Sequence, residues 1–380
     1  MILNTLFSPE SIGNVLIKNR IVRSATFSRR AEKYGNIGEQ MVDFYQELAA
    51  GGTGLIITEF ISVNEQGMIS PYQARLDDNS YIPGHKKLVN RVHDFPDVKI
   101  AAQIGHSGKQ GVHPKFLPVA PSPVKDKMTG LIPRELTKEE IRELIEKFVN
   151  AGYRAYVSGY DMVQLHAAHG YLLSNFISPY TNRRVDEFGG NIENMTRILV
   201  MIHELLREKV DKNFPVIIKL QMQDFVPGGL ILHEGIKIAK IIIKSGFEAI
   251  EPSGGIGETQ IGTADAYPSK IIKTSEEQNY FLPVAKLLKP LMEQSKLILV
   301  GGIKNPYSAE NILKYGYADF ISMSRPLIYE PNLPKRWQSG DTSEAKCISC
   351  NSCYMSMLTG PTHCVVRKKR ERKKKKKLKE

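Results

Sequence analysis

Cysteine is absent from the first 346 residues, and all 4 of the chain's cysteines fall between Cys347 and Cys364. A disulfide framework would spread them through the fold, so the clustering points to one local metal or redox site. No apolar run reaches the roughly 18 residues that a membrane-spanning helix needs. The start, Met1 to Pro9, lacks the basic-then-apolar pattern of a secretory leader, so a soluble, cytoplasmic protein is expected. No Gly-x-Gly-x-x-Gly turn follows an early strand, which counts against a doubly wound dinucleotide-binding sheet.

Net charge is also scarce over most of the chain. The formal net charge is +12, but Arg367 to Glu380 hold 11 Lys/Arg and 2 Asp/Glu, which leaves only +3 for the other 366 residues. The body therefore offers no broad cationic surface, and nucleic acid is not an expected partner. The tail is low-complexity and self-repelling, and is expected to be disordered. It reads either as an incidental lysine-rich end or as a contact for a polyanion or an anionic surface.

What is present is a regular alternation of apolar strands and amphipathic helices. Residues 5–19 read as a β-hairpin turning at Gly13 and Asn14, suited to capping the bottom of a barrel. Strands are then expected over 19–26, 54–59, 98–104, 162–166, 216–220, 249–251, 297–300 and 319–323. Helices are expected over 38–50, 82–94, 137–151, 192–210, 233–245, 280–294 and 306–315. This order predicts an α/β chain: a (β/α)8 TIM barrel over 1–337 with an N-terminal hairpin cap, a cysteine-rich extension over 338–366 and the basic tail over 367–380.

Barrel enzymes work at the C-terminal ends of their strands. Gln103, His166, Lys219, Glu251 and Ser253 lie at or just past such ends. Gly301 and Gly302 follow the seventh strand, and Ser324 and Arg325 the eighth, where barrels commonly hold a phosphate. The densest stretch runs from Gly159 to Arg197, where His166, His169 and Tyr171 gather before a long loop and a helix opening at Asn191. A lone histidine is usually structural, but a pair three apart with a tyrosine two further on supplies a set of donors at one strand end. Lys219 also has a bland reading, as a strand-end lysine reaching for water.

These residues resemble the old yellow enzyme family of FMN-dependent ene-reductases. The resemblance is carried by Asn19 to Val22, Gln103 to Gln110, Ala120 to Ser122, Pro133 to Thr137, His166 to Asn194, Val300 to Ile303 and Arg325 to Leu327. It implies that Ser24, Ala25 and Thr26 lie along the flavin, that Gln103 bonds its pyrimidine edge, and that Lys219 stands near N1. It also implies that Gly301, Gly302, Ser324 and Arg325 hold the FMN phosphate, with Ser324 where the family usually has glycine. His166 and His169 would receive a substrate oxygen, and Tyr171 would donate a proton. The physical case agrees: hydride addition to an activated alkene builds negative charge on the conjugated oxygen, which two donors stabilise, and a phenol can protonate the α-carbon. Phe27 falls where many members carry a hydroxyl or thiol that tunes the flavin potential.

Cys347, Cys350, Cys353 and Cys364 resemble the [4Fe–4S] segment of the 2,4-dienoyl-CoA reductase and trimethylamine dehydrogenase branch. A zinc site, or thiols without a metal, are the alternatives. The expected activity is reduction of a small-molecule activated alkene by FMN, with NAD(P)H or an electron-donor protein as the source of electrons. Flavin-dependent amine dehydrogenation, a colourless isomerase barrel and a non-catalytic interaction protein acting through its basic tail are the rival functions. The oligomeric state stays open, a homo-oligomer included.

Overall fold

The computed structural model describes residues 3–260 and 268–377. Its centre is a closed ring of eight parallel strands: β1 (Ile21–Arg23), β2 (Leu55–Ile57), β3 (Lys99–Gly105), β4 (Met162–Ala167), β5 (Val216–Gln221), β6 (Ala249–Ser253), β7 (Lys296–Leu299) and β8 (Phe320–Met323). Neighbours pair in sequence order, β8 pairs with β1, and β2 pairs with β3, which closes the ring. The expected TIM barrel is therefore what the chain forms, with all eight strands within a few residues of their predicted bounds.

Period-two alternation explains why these segments are so uniformly apolar. Leu55 and Ile57 enter an inner cluster with Val22, Met162, Ile217, Ile298 and Phe320, whereas Ile56 joins the outer cluster between strands and helices. Each strand is thus buried on both faces, as parallel strands covered by crossover helices must be. The helices follow their predicted positions, and the longest, Lys138–Val157, opens with a capping box in which Thr137 and Glu140 bond reciprocally. The Asn191 side chain accepts from Asn194 N and starts the helix Ile192–Lys209.

The hairpin pairs Glu10–Ile12 with Val15–Ile17 and turns at Gly13, whose φ is +55°. Ile12 and Ile17 project into the inner cluster and seal the N-terminal end of the barrel. Between β3 and β4 the short segments Val119–Ala120 and Arg134–Glu135 pair and pinch off an excursion over residues 121–133. After β8 come helices Arg325–Tyr329 and Leu333–Gln338, the cysteine segment with helix Ser352–Thr359, and a last helix, Val365–Lys377.

That last helix departs from the disorder expected of the basic tail. The segment holds no proline or glycine, its Lys, Arg and Glu are good helix formers, and Arg367 and Glu371 pair one turn apart. Its first turns are also anchored, because Arg367 Nη1 donates to Tyr329 O (3.0 Å) and Arg370 Nη1 to the Tyr329 hydroxyl (3.1 Å). Among the described residues no helix is long and apolar enough to cross a membrane.

The seal at the barrel bottom has a measurable cost of removal. Replacing Ile17, which is fully buried, by alanine should lower the unfolding free energy by about 2–5 kcal/mol, read from denaturant midpoints. A change under about 0.5 kcal/mol would mean that the hairpin is not part of the cooperative core.

Candidate active site

The strand register decides which side chains meet at the mouth of the ring. Gln103 on β3 lies beside Gln164 on β4, His166 on β4 beside Lys219 on β5, and Lys219 beside Glu251 on β6. These neighbours form one buried polar network. Gln103 Nε2 donates to Gln164 Oε1 (2.7 Å), and Gln164 Nε2 to Glu251 Oε2 (3.1 Å). Lys219 Nζ stands 2.8 Å from the same Glu251 oxygen and 3.1 Å from Ser24 Oγ. The other oxygen, Oε1, accepts from Ser24 Oγ (2.7 Å) and Ser322 Oγ (2.9 Å). Burial pushes the Glu251 carboxyl up, but Lys219 and the donors from Ser24 and Gln164 outweigh it and hold the group below its ordinary value.

Lys219 is 3% exposed, so it does not reach for water, and its charge is largely balanced by Glu251. Gln164 and Ser322 were not among the predicted site residues. Both carry the signal of period-two alternation: Gln164 stands two before His166, and Ser322 two after the inward-facing Phe320.

Past the end of β4 the three aromatic side chains singled out in the sequence come together. The His166 ring lies 5.1 Å from that of His169 and 5.0 Å from that of Tyr171, all nearly perpendicular. Phe60, from the loop after β2, packs on both His166 (5.7 Å) and Tyr171 (5.1 Å) and had no sequence signal of its own. His169 has φ +67° and the next residue, Gly170, φ +76°, a left-handed step that brings the chain back over the strand end. His169 Nε2 is 2.7 Å from Ser253 Oγ, and its backbone N donates to Gln221 Oε1 (2.9 Å). His166 Nδ1 is buried without a hydrogen-bond partner among the described residues.

Burial pushes both imidazoles down, helped by the cation of Lys219: His166 well below its ordinary value and His169 to about 3. Burial also raises the Tyr171 phenol, with Tyr354 a smaller contributor. At neutral pH the site therefore presents two neutral imidazoles, each with one N–H, and one protonated phenol.

The residues expected at the phosphate end are less closely grouped. Gly301 and Gly302 both have positive φ, and a Cβ on either would meet the Tyr280 ring within 3.1 Å, so both glycines are required where they stand. Ser324 Oγ is 2.7 Å from Thr26 Oγ1, which ties it to the Ser24–Thr26 run; Ala25 packs on the inner cluster. Arg325 turns toward the cysteine segment, its Nη1 donating to Lys270 O (2.7 Å), Ser349 O (3.2 Å) and Asn351 Oδ1 (2.7 Å).

Cys347, Cys350, Cys353 and Cys364 are free thiols that line one small cavity together with Arg325 and Tyr329. Among the described residues no group of three or more His, Cys, Asp or Glu is drawn close enough to hold a single metal ion. The segment docks on the loop after β1. Thr362 Oγ1 donates to Phe27 O (2.9 Å), Thr362 N to Ser28 O (2.9 Å), and Arg29 Nη1 to Met357 O (2.8 Å).

Comparison with known proteins gives a consistent result. Residues 5–344 match the NADH:flavin oxidoreductase / NADH oxidase family. The chain is 39% identical over 351 residues to an NADH oxidase of Thermoanaerobacter brockii, covering 91% of this chain and 52% of that protein. It resembles a 2-naphthoyl-CoA reductase in complex with 2-naphthoyl-CoA (TM-score 0.88, 27% identity), covering 96% of this chain and 57% of the other. An old yellow enzyme homologue from Zymomonas mobilis superposes with a TM-score of 0.74 at 26% identity, over 90% of this chain and 94% of that one. The chain thus spans little more than half the length of the first two.

The neutral imidazoles make stability depend on pH. Between about 3 and 6.5 the unfolded chain binds a proton that folded His169 does not, so unfolding free energy rises with pH across that window. The contribution is complete above the unfolded value and is lost as pH falls toward the folded one. Buried His85 and His106, pushed down to about 4 and about 3, act with the same sign. His169→Asn should therefore lose about 1–2 kcal/mol less than wild type when denaturation is measured at pH 5 instead of pH 7. Equal losses would mean that His169 is not held neutral.

Proposed function

The chain belongs to the NADH:flavin oxidoreductase / NADH oxidase family, FMN-dependent oxidoreductases of old yellow enzyme type that use NAD(P)H, and from that premise we propose that it reduces α,β-unsaturated carbonyl compounds or thioesters. The observation that carries the reading is the trio at the end of β4: two neutral imidazoles and a protonated phenol, with the His166 ring 5.1 Å from that of His169 and 5.0 Å from that of Tyr171, over a buried polar network. The ligand in the 2-naphthoyl-CoA reductase neighbour is an aromatic thioester, which favours including thioesters in the substrate class.

FMN is fitted by the residues present. Ser24, Gln103 and Lys219 bring hydroxyl, amide and ammonium donors into one buried network, and beside it His166 Nδ1 is a buried polar atom without a partner among the described residues. We assign Ser24, Ala25, Thr26, Gln103 and Lys219 to the flavin ring, and Gly301, Gly302, Ser324 and Arg325 to its phosphate end. When bound, FMN supplies the hydride at N5. His166 and His169 each offer an N–H to the substrate's carbonyl oxygen, where charge develops. Ser253 fixes the orientation of His169. Tyr171 delivers its phenolic proton to the α-carbon, and Phe60 keeps that ring packed and partly shielded from water.

A cationic amine, the substrate of the rival reading, would sit among neutral imidazoles and above Lys219 without a countercharge directed at it, which makes amine oxidation the weaker reading. For the cysteines, the donor set supports a [4Fe–4S] cluster held by Cys347, Cys350, Cys353 and Cys364. Four thiols line one cavity, three of them at two-residue intervals. The four cysteines would hold the cluster in the segment that docks on Phe27 and Ser28, and when bound it would supply one-electron chemistry there.

Purified protein should be yellow, bleach with NADH or NADPH, and regain colour with an enone. Tyr171→Phe should leave bleaching unchanged and slow recolouring about 100- to 10,000-fold; recolouring at the wild-type rate removes Tyr171 from the reaction. Anaerobically purified protein should contain iron and acid-labile sulfide in about equal, roughly fourfold amounts per chain. Near-zero iron in such material dismisses the cluster.

A further inference from the structure

Lys109 follows the end of β3 and its side chain is completely buried, although nothing in the proposed reaction uses it. Its ammonium bonds Glu258 Oε1 and lies 3.4 Å from Asp126 Oδ2 and 5.5 Å from the centre of the Tyr180 ring. Asp126 has no side-chain exposure and Glu258 has 3%. Both carboxylates retain a buried oxygen, Asp126 Oδ2 and Glu258 Oε2, without a hydrogen-bond partner among the described residues. One cation thus stands between two buried carboxylates from loops that are distant in sequence.

One of those loops adjoins the segment of the trio, and the other packs on the first. Asp126 organises the excursion between Val119–Ala120 and Arg134–Glu135, its Oδ1 accepting from Met128 N (3.0 Å), Thr129 N (2.8 Å) and Thr129 Oγ1 (3.0 Å). Glu258 lies on the short turn Gly257–Gln260 after β6. The two loops meet tightly, for a Cβ on Gly257 would come within 2.7 Å of Met128 Sδ. The 254–260 turn also presses on the segment of the trio, together with Gln110 from the turn after β3. A Cβ on Gly170, between His169 and Tyr171, would meet Gln110 Nε2 at 2.6 Å and Ile256 Cβ at 3.2 Å. Gln110 Nε2 itself donates to His169 O (2.7 Å).

We propose that Lys109 is a positioning residue: its ammonium pins the 121–133 excursion and the 254–260 turn together over the mouth of the barrel, and so fixes the walls between which the substrate stacks beside His169 and Tyr171. The pin acts through Gln110, Gly170 and Met128 and does not touch the reacting atoms. Without the cation, two buried carboxylates face each other uncompensated, and separation of the loops is the relaxation that rehydrates them. The substrate contact depends on the enone-reduction reading, whereas the pin itself does not.

Exposed Lys125 and Lys127 flank buried Asp126, which gives a readout independent of flavin chemistry. In FMN-loaded Lys109→Met, trypsin should release fragments ending at Lys125 or Lys127 at least about tenfold faster than in wild type, because cleavage follows the open population. KM for an enone should rise about tenfold while kcat stays within about twofold, the pattern of lost uniform binding. Adding Glu258→Gln to Lys109→Met should recover part of both effects, which a general loss of stability would not do. If Lys109→Met does not fold, Glu258→Gln alone carries the test, with changes of the same direction. Wild-type cleavage and wild-type KM in the variant tested overturn the proposal. Faster cleavage in a protein that turns over no enone keeps the pin and faults the assigned reaction.

Discussion

Burying a carboxylate in a barrel mouth is costly unless each oxygen is met by donors, and Glu251 meets that requirement only because four different parts of the ring bring their donors to it. Ser24 comes from the end of β1, Ser322 from β8, Gln164 from β4 and Lys219 from β5. Because the acceptor lies at a fixed place on β6, those residues are locked in mutual register, and His166, across from Lys219, is locked with them. Precision at the C-terminal mouth of the barrel is thus derived from one satisfied charge. Removing Lys219 or Glu251 alone would leave its partner buried and uncompensated, a cost several times that of an exposed ion pair.

Much of the architecture was legible because strand and helix periodicities are local properties. The eight strands, the hairpin turn at Gly13 and the helix start at Asn191 each follow from residues within one segment. The trio of His166, His169 and Tyr171 was legible for the same reason, all three lying within six positions of one strand end. What escaped was contact between distant segments. Nothing near Phe60 marks it as the neighbour of Tyr171, and no local pattern tells that Glu251 neutralises Lys219. The basic tail was misjudged because composition weighs charge repulsion but cannot see Tyr329 waiting for Arg367 and Arg370.

The cysteine segment and the barrel share their anchors. Fully buried Arg23, at the end of β1, donates to Ser324 O (2.6 Å), and the neighbouring Arg325 braces the turn of Ser349 and Asn351, both with positive φ. Burial lowers the Arg23 guanidinium to about 10, and it stays charged at neutral pH. Positive charge is therefore concentrated where the thiols and the loop after β8 adjoin. An anionic group on either side would be stabilised by cations the two regions hold in common.

The hairpin that stops the lower end of the ring with Ile12 and Ile17 has a kinetic consequence. With that end sealed, a reductant and an oxidant of the proposed reaction that both bind the protein directly would share the C-terminal mouth, where the strand-end side chains gather. In the NAD(P)H-driven form of the reaction we propose, the two would then compete for that mouth, and the ratio of one to the other would throttle flux.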